Sequence, residues 1–166
     1  MKKILVLGEG IPEINDCNLG LYALRYMAHM QLYGNGVEYG EWHRTLLGDV
    51  SHLYVYDYVI VLSTHVRSAA VGSIAIVPPD ASMHYMSSLQ GLGADLLART
   101  YLVSLEIEQP VEPDRFSKRV ELRVHTLLEV VGELIATIRM EPNELALEGL
   151  SPIRNLAFLH EIRTVV

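Results

Sequence analysis

Five side chains capable of chemistry fall in three short stretches of this sequence: Asp16 and Cys17 in "GEGIPEINDCNLG" (8–20), Ser63 and His65 in "STHVR" (63–67), and His84 in "SMHYM" (82–86). A cysteine near a helix N-terminus has its thiol pKa lowered by the helix dipole, and His65 or His84 could accept the proton, which together would make a thiol–imidazole nucleophile. No local signature of a cysteine hydrolase accompanies the pair. Each residue also has a plain role open to it. Cys17 can be an inert small side chain, Ser63 can satisfy backbone groups at a strand end, Asp16 can cap the helix that follows it, His65 can be a solvated loop histidine, and His84 can cap a helix. His29, His125 and His160 sit on predicted helices or in the tail and are surface or rim residues.

The loop carrying Asp16 and Cys17 is neither a dinucleotide fingerprint nor a phosphate loop. G-x-G-x-x-G would require glycine where Glu13 stands, and no Gly-Lys-Ser or Gly-Lys-Thr follows. Its glycines instead let the backbone turn sharply off the preceding strand, so that Asp16 and Cys17 lean over the edge of a sheet.

The elements that must position these residues alternate. "KILVL" (3–7) is a continuous apolar run, the pattern of a strand buried on both faces. "LGLYALRYMAHMQLY" (19–33) has helical spacing, with Asn18 as N-cap and "GNG" (34–36) as its stop. "VEYGEW" (37–42) reads as an edge strand and "HRTLLGDVSHL" (43–53) as a short helix or turn. "YDYVIVLST", "VGSIAIVPPD" and "TYLVSLEIE" read as further strands, with a helix over "SMHYMSSLQGLGADLLAR" (82–99). From Phe116 onward, Val120, Val124, Leu127, Leu128, Val131, Leu134, Ile135 and Ile138 form a 3.6-residue stripe with charges between them. The pattern predicts a three-layer α/β/α fold over 1–140, built on a doubly wound, mostly parallel five-stranded sheet of phosphorylase/hydrolase type. Ligands of such sheets sit at the carboxyl ends of the strands near the reversal of strand order, which gathers the three stretches into one cleft.

Composition narrows the partners. The chain has 166 residues, half of them apolar, enough for one core. The net charge of −7 is spread without basic clusters, which excludes a nucleic-acid backbone or an anionic membrane surface as partner. "KKILVLG" is too short for a signal-peptide core or a membrane span. Cys17 is the only cysteine, so no internal disulfide forms and a reducing, cytoplasmic setting is expected. The tail 141–166 is too apolar for a disordered linker and is expected to pack on the domain or on a partner, a homodimer contact among the options.

"ILVLGEGIPEINDCNLG" resembles the opening strand and loop of the hydrogenase maturation endopeptidases, in which G-x-G-N, a few mostly apolar residues, an acidic pair and a glycine lead into the first helix. The later order also fits: a buried "VIVL" strand, "GSIAIVP", a serine-x-histidine before a helix, "VSLEIEQPVEP" and a long helix. The resemblance covers residues 3 to about 138. It implies an endopeptidase that removes a C-terminal extension from the large-subunit precursor of a nickel-iron hydrogenase once nickel is installed, or a non-cleaving relative that binds such a precursor as an assembly factor. A small-molecule hydrolase on the same scaffold would need a deep closed pocket.

The family's nickel-recognition cluster is two carboxylates and a histidine. By the resemblance these fall on Cys17, preceded by Asp16 as the first member of the acidic pair, on Ser63, and on His84. Ile11 stands where the family has asparagine, and its aspartate-glycine-threonine segment is not legible in "VEYGEWHRTLLG". A thiolate and an imidazole make a softer site than two carboxylates, one that binds nickel or zinc, with Asp16 or His65 as a third ligand. The protein then has no cofactor of its own beyond nickel presented by the client, or a divalent ion at the cleft.

Overall fold

A computed structural model describes residues 1–11, 15–42, 50–66, 70–79, 93–107 and 115–140. The tail 141–166 and His84 lie outside them. Five strands, β1 (Ile4–Gly8), β2 (Val37–Glu41), β3 (Tyr58–His65), β4 (Ile74–Val77) and β5 (Thr100–Glu106), form one sheet in the order β2-β1-β3-β5-β4. β1, β2, β3 and β5 are parallel, and β4 runs antiparallel beside β5. The alternating, mostly parallel five-stranded reading is therefore correct, with "VEYGEW" at an edge as expected.

The direction of β4 follows from chain length. A parallel crossover needs roughly a dozen residues or more, and the stretch 66–73 between β3 and β4 is shorter than that, so the chain can only turn back.

Side chains alternate across the strands and build two cores. One joins Ile4, Val6, Ile60, Leu62, Val103 and Leu105 to the buried faces of α1 (Leu19–His29) and of the long C-terminal helix. The other, on the opposite face, joins Leu5, Leu7, Val59, Val61 and Leu102 to Trp42, to Leu53 of a 3-10 turn (Val50–Val55), and to Leu96 and Leu97 of the short helix α2 (Ala94–Leu97). The three layers are real.

Two helices depart from the periodicity. α1 ends at His29 rather than running on to Tyr33, because Gln31 and Tyr33 take positive φ (48° and 70°), a conformation no α-helix continues. Tyr33 is held there by its hydroxyl, which donates to the Leu128 carbonyl, and by its own carbonyl, which accepts from Arg139 at 2.9 Å. The stripe from Phe116 is divided into α3 (Lys118–Glu121) and α4 (Val124–Met140), with an exposed Leu122 at the break. Val120 and Leu127 are buried on either side of it, so the apolar spacing survives a break it does not reveal.

Candidate functional site

The crevice where β1 and β3 diverge is shaped by glycines. A Cβ on Gly20 would stand 2.5 Å from the Leu62 carbonyl oxygen and 3.0 Å from that of Glu9. α1 therefore starts in backbone contact with both strand ends. Gly10, at φ +140°, carries the chain out of β1 in a conformation that L side chains rarely adopt. Asn18 then latches the loop: its Oδ1 accepts from the Ile11 amide at 2.8 Å and its Nδ2 donates to Asn15 Oδ1 at 2.9 Å. Asn18 does occupy the N-cap position of α1, but its side chain makes no capping bond there.

Asp16 and Cys17 lie in a 3-10 turn (Asp16–Asn18) fastened on the α1 side of the sheet. Asp16 is 5% exposed, and its Oδ1 accepts from the Ser117 amide at 2.7 Å. Ser117 is itself the N-cap of α3, where its hydroxyl accepts from the Val120 amide. Asp16 thus serves a helix start far along the chain rather than capping α1. The Cys17 carbonyl accepts from Thr64 Oγ1 at 2.8 Å, which pins the turn to the end of β3. Its thiol reaches solvent. Shelter on its inner side, then the neighbouring Asp16 carboxylate, push the thiol pKa up, against the depression expected from a helix dipole. That direction runs against the thiolate a nucleophile at this position would need.

Ser63 and His65 belong to the other face. In β3 they continue the row of Val59 and Val61, whereas Thr64 continues that of Ile60 and Leu62. Ser63 is 3% exposed and its hydroxyl donates to the carboxylate of Glu9, which continues the row Leu5–Leu7 on β1. On β5, buried Ser104 and Glu106 stand in register with Ser63 and half-buried His65. A polar layer of Glu9, Ser63, Ser104, His65 and Glu106 thus succeeds the apolar layer of Leu7, Val61 and Leu102 where three strands end.

Sequence reasoning missed Glu9 and the pair on β5. The available signal was alternation carried one step further: the row Leu5, Leu7, Glu9 puts a charge on a buried face at a strand end. Of the five side chains singled out by type, His84 lies outside the described residues and the other four are divided. Ser63 and His65 are joined by the sheet, Asp16 and Cys17 share the turn across the strand ends, and no hydrogen bond among the described residues links the side chains of Asp16 or Cys17 to those of Glu9 or Ser63.

The donor set can be tested against a resident divalent ion. Among the described residues, no three of His, Cys, Asp and Glu come together closely enough to hold a metal. Asp16 commits an oxygen to Ser117, Ser63 is a neutral hydroxyl committed to Glu9, and the Cys17 thiol is biased toward its protonated form. Among the described residues no resident ion site is therefore assembled; His84, the remaining expected ligand, lies outside them.

With the fold and crevice established, comparison identifies the architecture as that of the hydrogenase maturation proteases. The structure of a [NiFe] hydrogenase maturation protease, HybD, from Thermococcus kodakarensis superposes with a TM-score of 0.61 at 15% identity, over 80% of this chain and 98% of that one. A hydrogenase 2 maturation peptidase from a Thaumarchaeota archaeon gives 0.59 at 21% identity, over 81% and 98%. The hydrogenase maturating endopeptidase HybD of E. coli gives 0.57 at 22%, over 82% and 92%. No protein-family model matches the sequence, and no curated protein matches it significantly. At these identities the likeness defines the fold.

Proposed function

We propose that this chain is a divergent hydrogenase maturation endopeptidase-like protein, which recognises the nickel-loaded large-subunit precursor of a nickel-iron hydrogenase and removes its C-terminal extension. The observation that carries the reading is the superposition over nearly the whole of an archaeal maturation protease, coupled to a polar crevice at the strand reversal, where ligands of such sheets bind. Nickel is part of the substrate in this reading, and the cytoplasm is the compartment. No helix among the described residues is long and apolar enough to cross a membrane.

A second reading, a non-cleaving assembly factor for the same precursor, is favoured by one specific observation. Ser63, one of the positions on which the resemblance places metal recognition, and Asp16, the stand-in ligand beside Cys17, have other partners. Incubation with a nickel-loaded precursor separates the two: loss of the mass of the C-terminal extension supports the endopeptidase, and stable binding without mass loss supports the assembly factor. Absence of both binding and cleavage would reject the two readings together.

A further inference from the structure

We infer that Glu9 is the carboxylate with which the crevice receives a cation, and that Ser63 positions it. The inference rests on the proposed recognition of a nickel-loaded client and names the side chain that reads the metal.

Three observations carry it. Glu9 is half-buried at the carboxyl end of β1, on the face where the polar layer begins, and the flanking glycines fix its backbone: a Cβ on Gly8 would stand 2.6 Å from the Gly20 carbonyl oxygen, and Gly10 has φ +140°. The Glu9 amide donates to the Leu62 carbonyl of β3 at 2.9 Å, so its position is set by the strand pair. Second, its charge has no cationic partner among the described residues. Its side-chain partner is the Ser63 hydroxyl, which donates to Oε2 and leaves Oε1 for another ligand. A carboxylate fixed without a counter-charge attracts a cation. Third, the pair spans β1 and β3, the strands between which the sheet order reverses. By the resemblance, a carboxylate belongs at position 63 of β3; here a hydroxyl stands there and a carboxylate reaches it from the adjacent strand.

The occupant this chemistry fits is a divalent ion still held by its client, since the described residues do not assemble the three ligands a resident ion needs. Glu9 contributes one hard oxygen to an ion whose other ligands come from the client.

The test measures binding of the full chain to nickel-loaded and nickel-free hydrogenase large-subunit precursor. The wild type should prefer the loaded form. Glu9→Gln should lose that preference at least tenfold while binding the nickel-free form within about twofold of wild type. The double variant Glu9→Val with Ser63→Asp, which returns the carboxylate to β3, should restore the preference, an outcome no purely structural role for Glu9 produces. A Glu9→Gln protein that keeps the preference, a double variant that does not regain it, or a wild type that binds both forms equally overturns the inference. If the wild type binds neither form, the proposed function fails and the inference falls with it, whereas a Glu9→Gln protein that keeps the preference overturns the inference alone.

Discussion

Glu41 and Glu9 stand at the carboxyl ends of adjacent strands, both half-buried, and are treated in opposite ways. Glu41, closing β2, accepts from Arg25 of α1 through both Nε (3.1 Å) and Nη2 (2.8 Å). Arg25 also lies over the Tyr22 ring, which meets Phe116 edge-on at 5.4 Å. Nearby, Asp16 is spent on the Ser117 amide. On that side of the sheet the carboxylates of Glu41 and Asp16 have designated partners, and the chain is knitted from loop to α1 to α3. Across the sheet, Glu9 has a hydroxyl and, among the described residues, no cation. The α1 side is built to hold the fold together, whereas the other side keeps a charge in reserve.

Gly20 belongs to both regions, and replacing it should have the largest effect. In Gly20→Ala the new Cβ meets backbone oxygens of Leu62 and Glu9, which cannot rotate away, so α1 must lift from β1 and β3. We expect a loss of about 3 kcal/mol, the upper range for overpacking, read as a fall in the midpoint of thermal or urea unfolding. An unchanged midpoint would mean that the close approach of α1 does not hold the crevice.

Next comes a contrast between the two sides. Asp16→Ala leaves the Ser117 amide without its charged acceptor and should cost about 2 kcal/mol, equivalent to a fall of roughly 4–8 °C in Tm for a domain of this size. Ser63→Ala should cost less than about 1 kcal/mol, because the half-buried carboxylate it leaves keeps partial access to water. Equal losses would erase the distinction between a structural carboxylate and a reserved one.

What the sequence revealed depended on the kind of interaction. The strands were legible because the runs "KILVL" and "YVIVL" are apolar enough to demand burial on both faces, and the three-layer order follows from their alternation with helices. Less legible was anything set by a single backbone angle or a distant partner. The early end of α1 rests on positive φ at Gln31 and Tyr33, with Tyr33 anchored to Leu128 and Arg139 far along the chain. The role of Asp16 depends on Ser117, which no local pattern connects to it. Selecting residues by type found Cys17 and Ser63 but passed over Glu9, whose significance comes from the strand beside it. Residue type identifies what could react; register decides what meets.

The smallest effect concerns Cys17, where the two regions touch through the Thr64 bond to its carbonyl. Because shelter and the Asp16 charge both raise the thiol pKa, the thiolate fraction near pH 8 is below that of a free thiol. Iodoacetamide should modify Cys17 more slowly than it modifies free cysteine, with a rate that climbs to a higher pH midpoint. The sign for stability is the same. With the folded pKa above the unfolded one, the contribution is fully present below the unfolded value and is lost as pH rises through the folded value. Asp16→Asn retains an oxygen for the Ser117 amide and removes only the charge. It should leave the unfolding midpoint nearly unmoved while shifting the alkylation midpoint down, though not to the unsheltered value, since burial is the larger cause. A midpoint in the wild type below that of free cysteine would restore the thiolate nucleophile and place the chemistry on the turn rather than at Glu9.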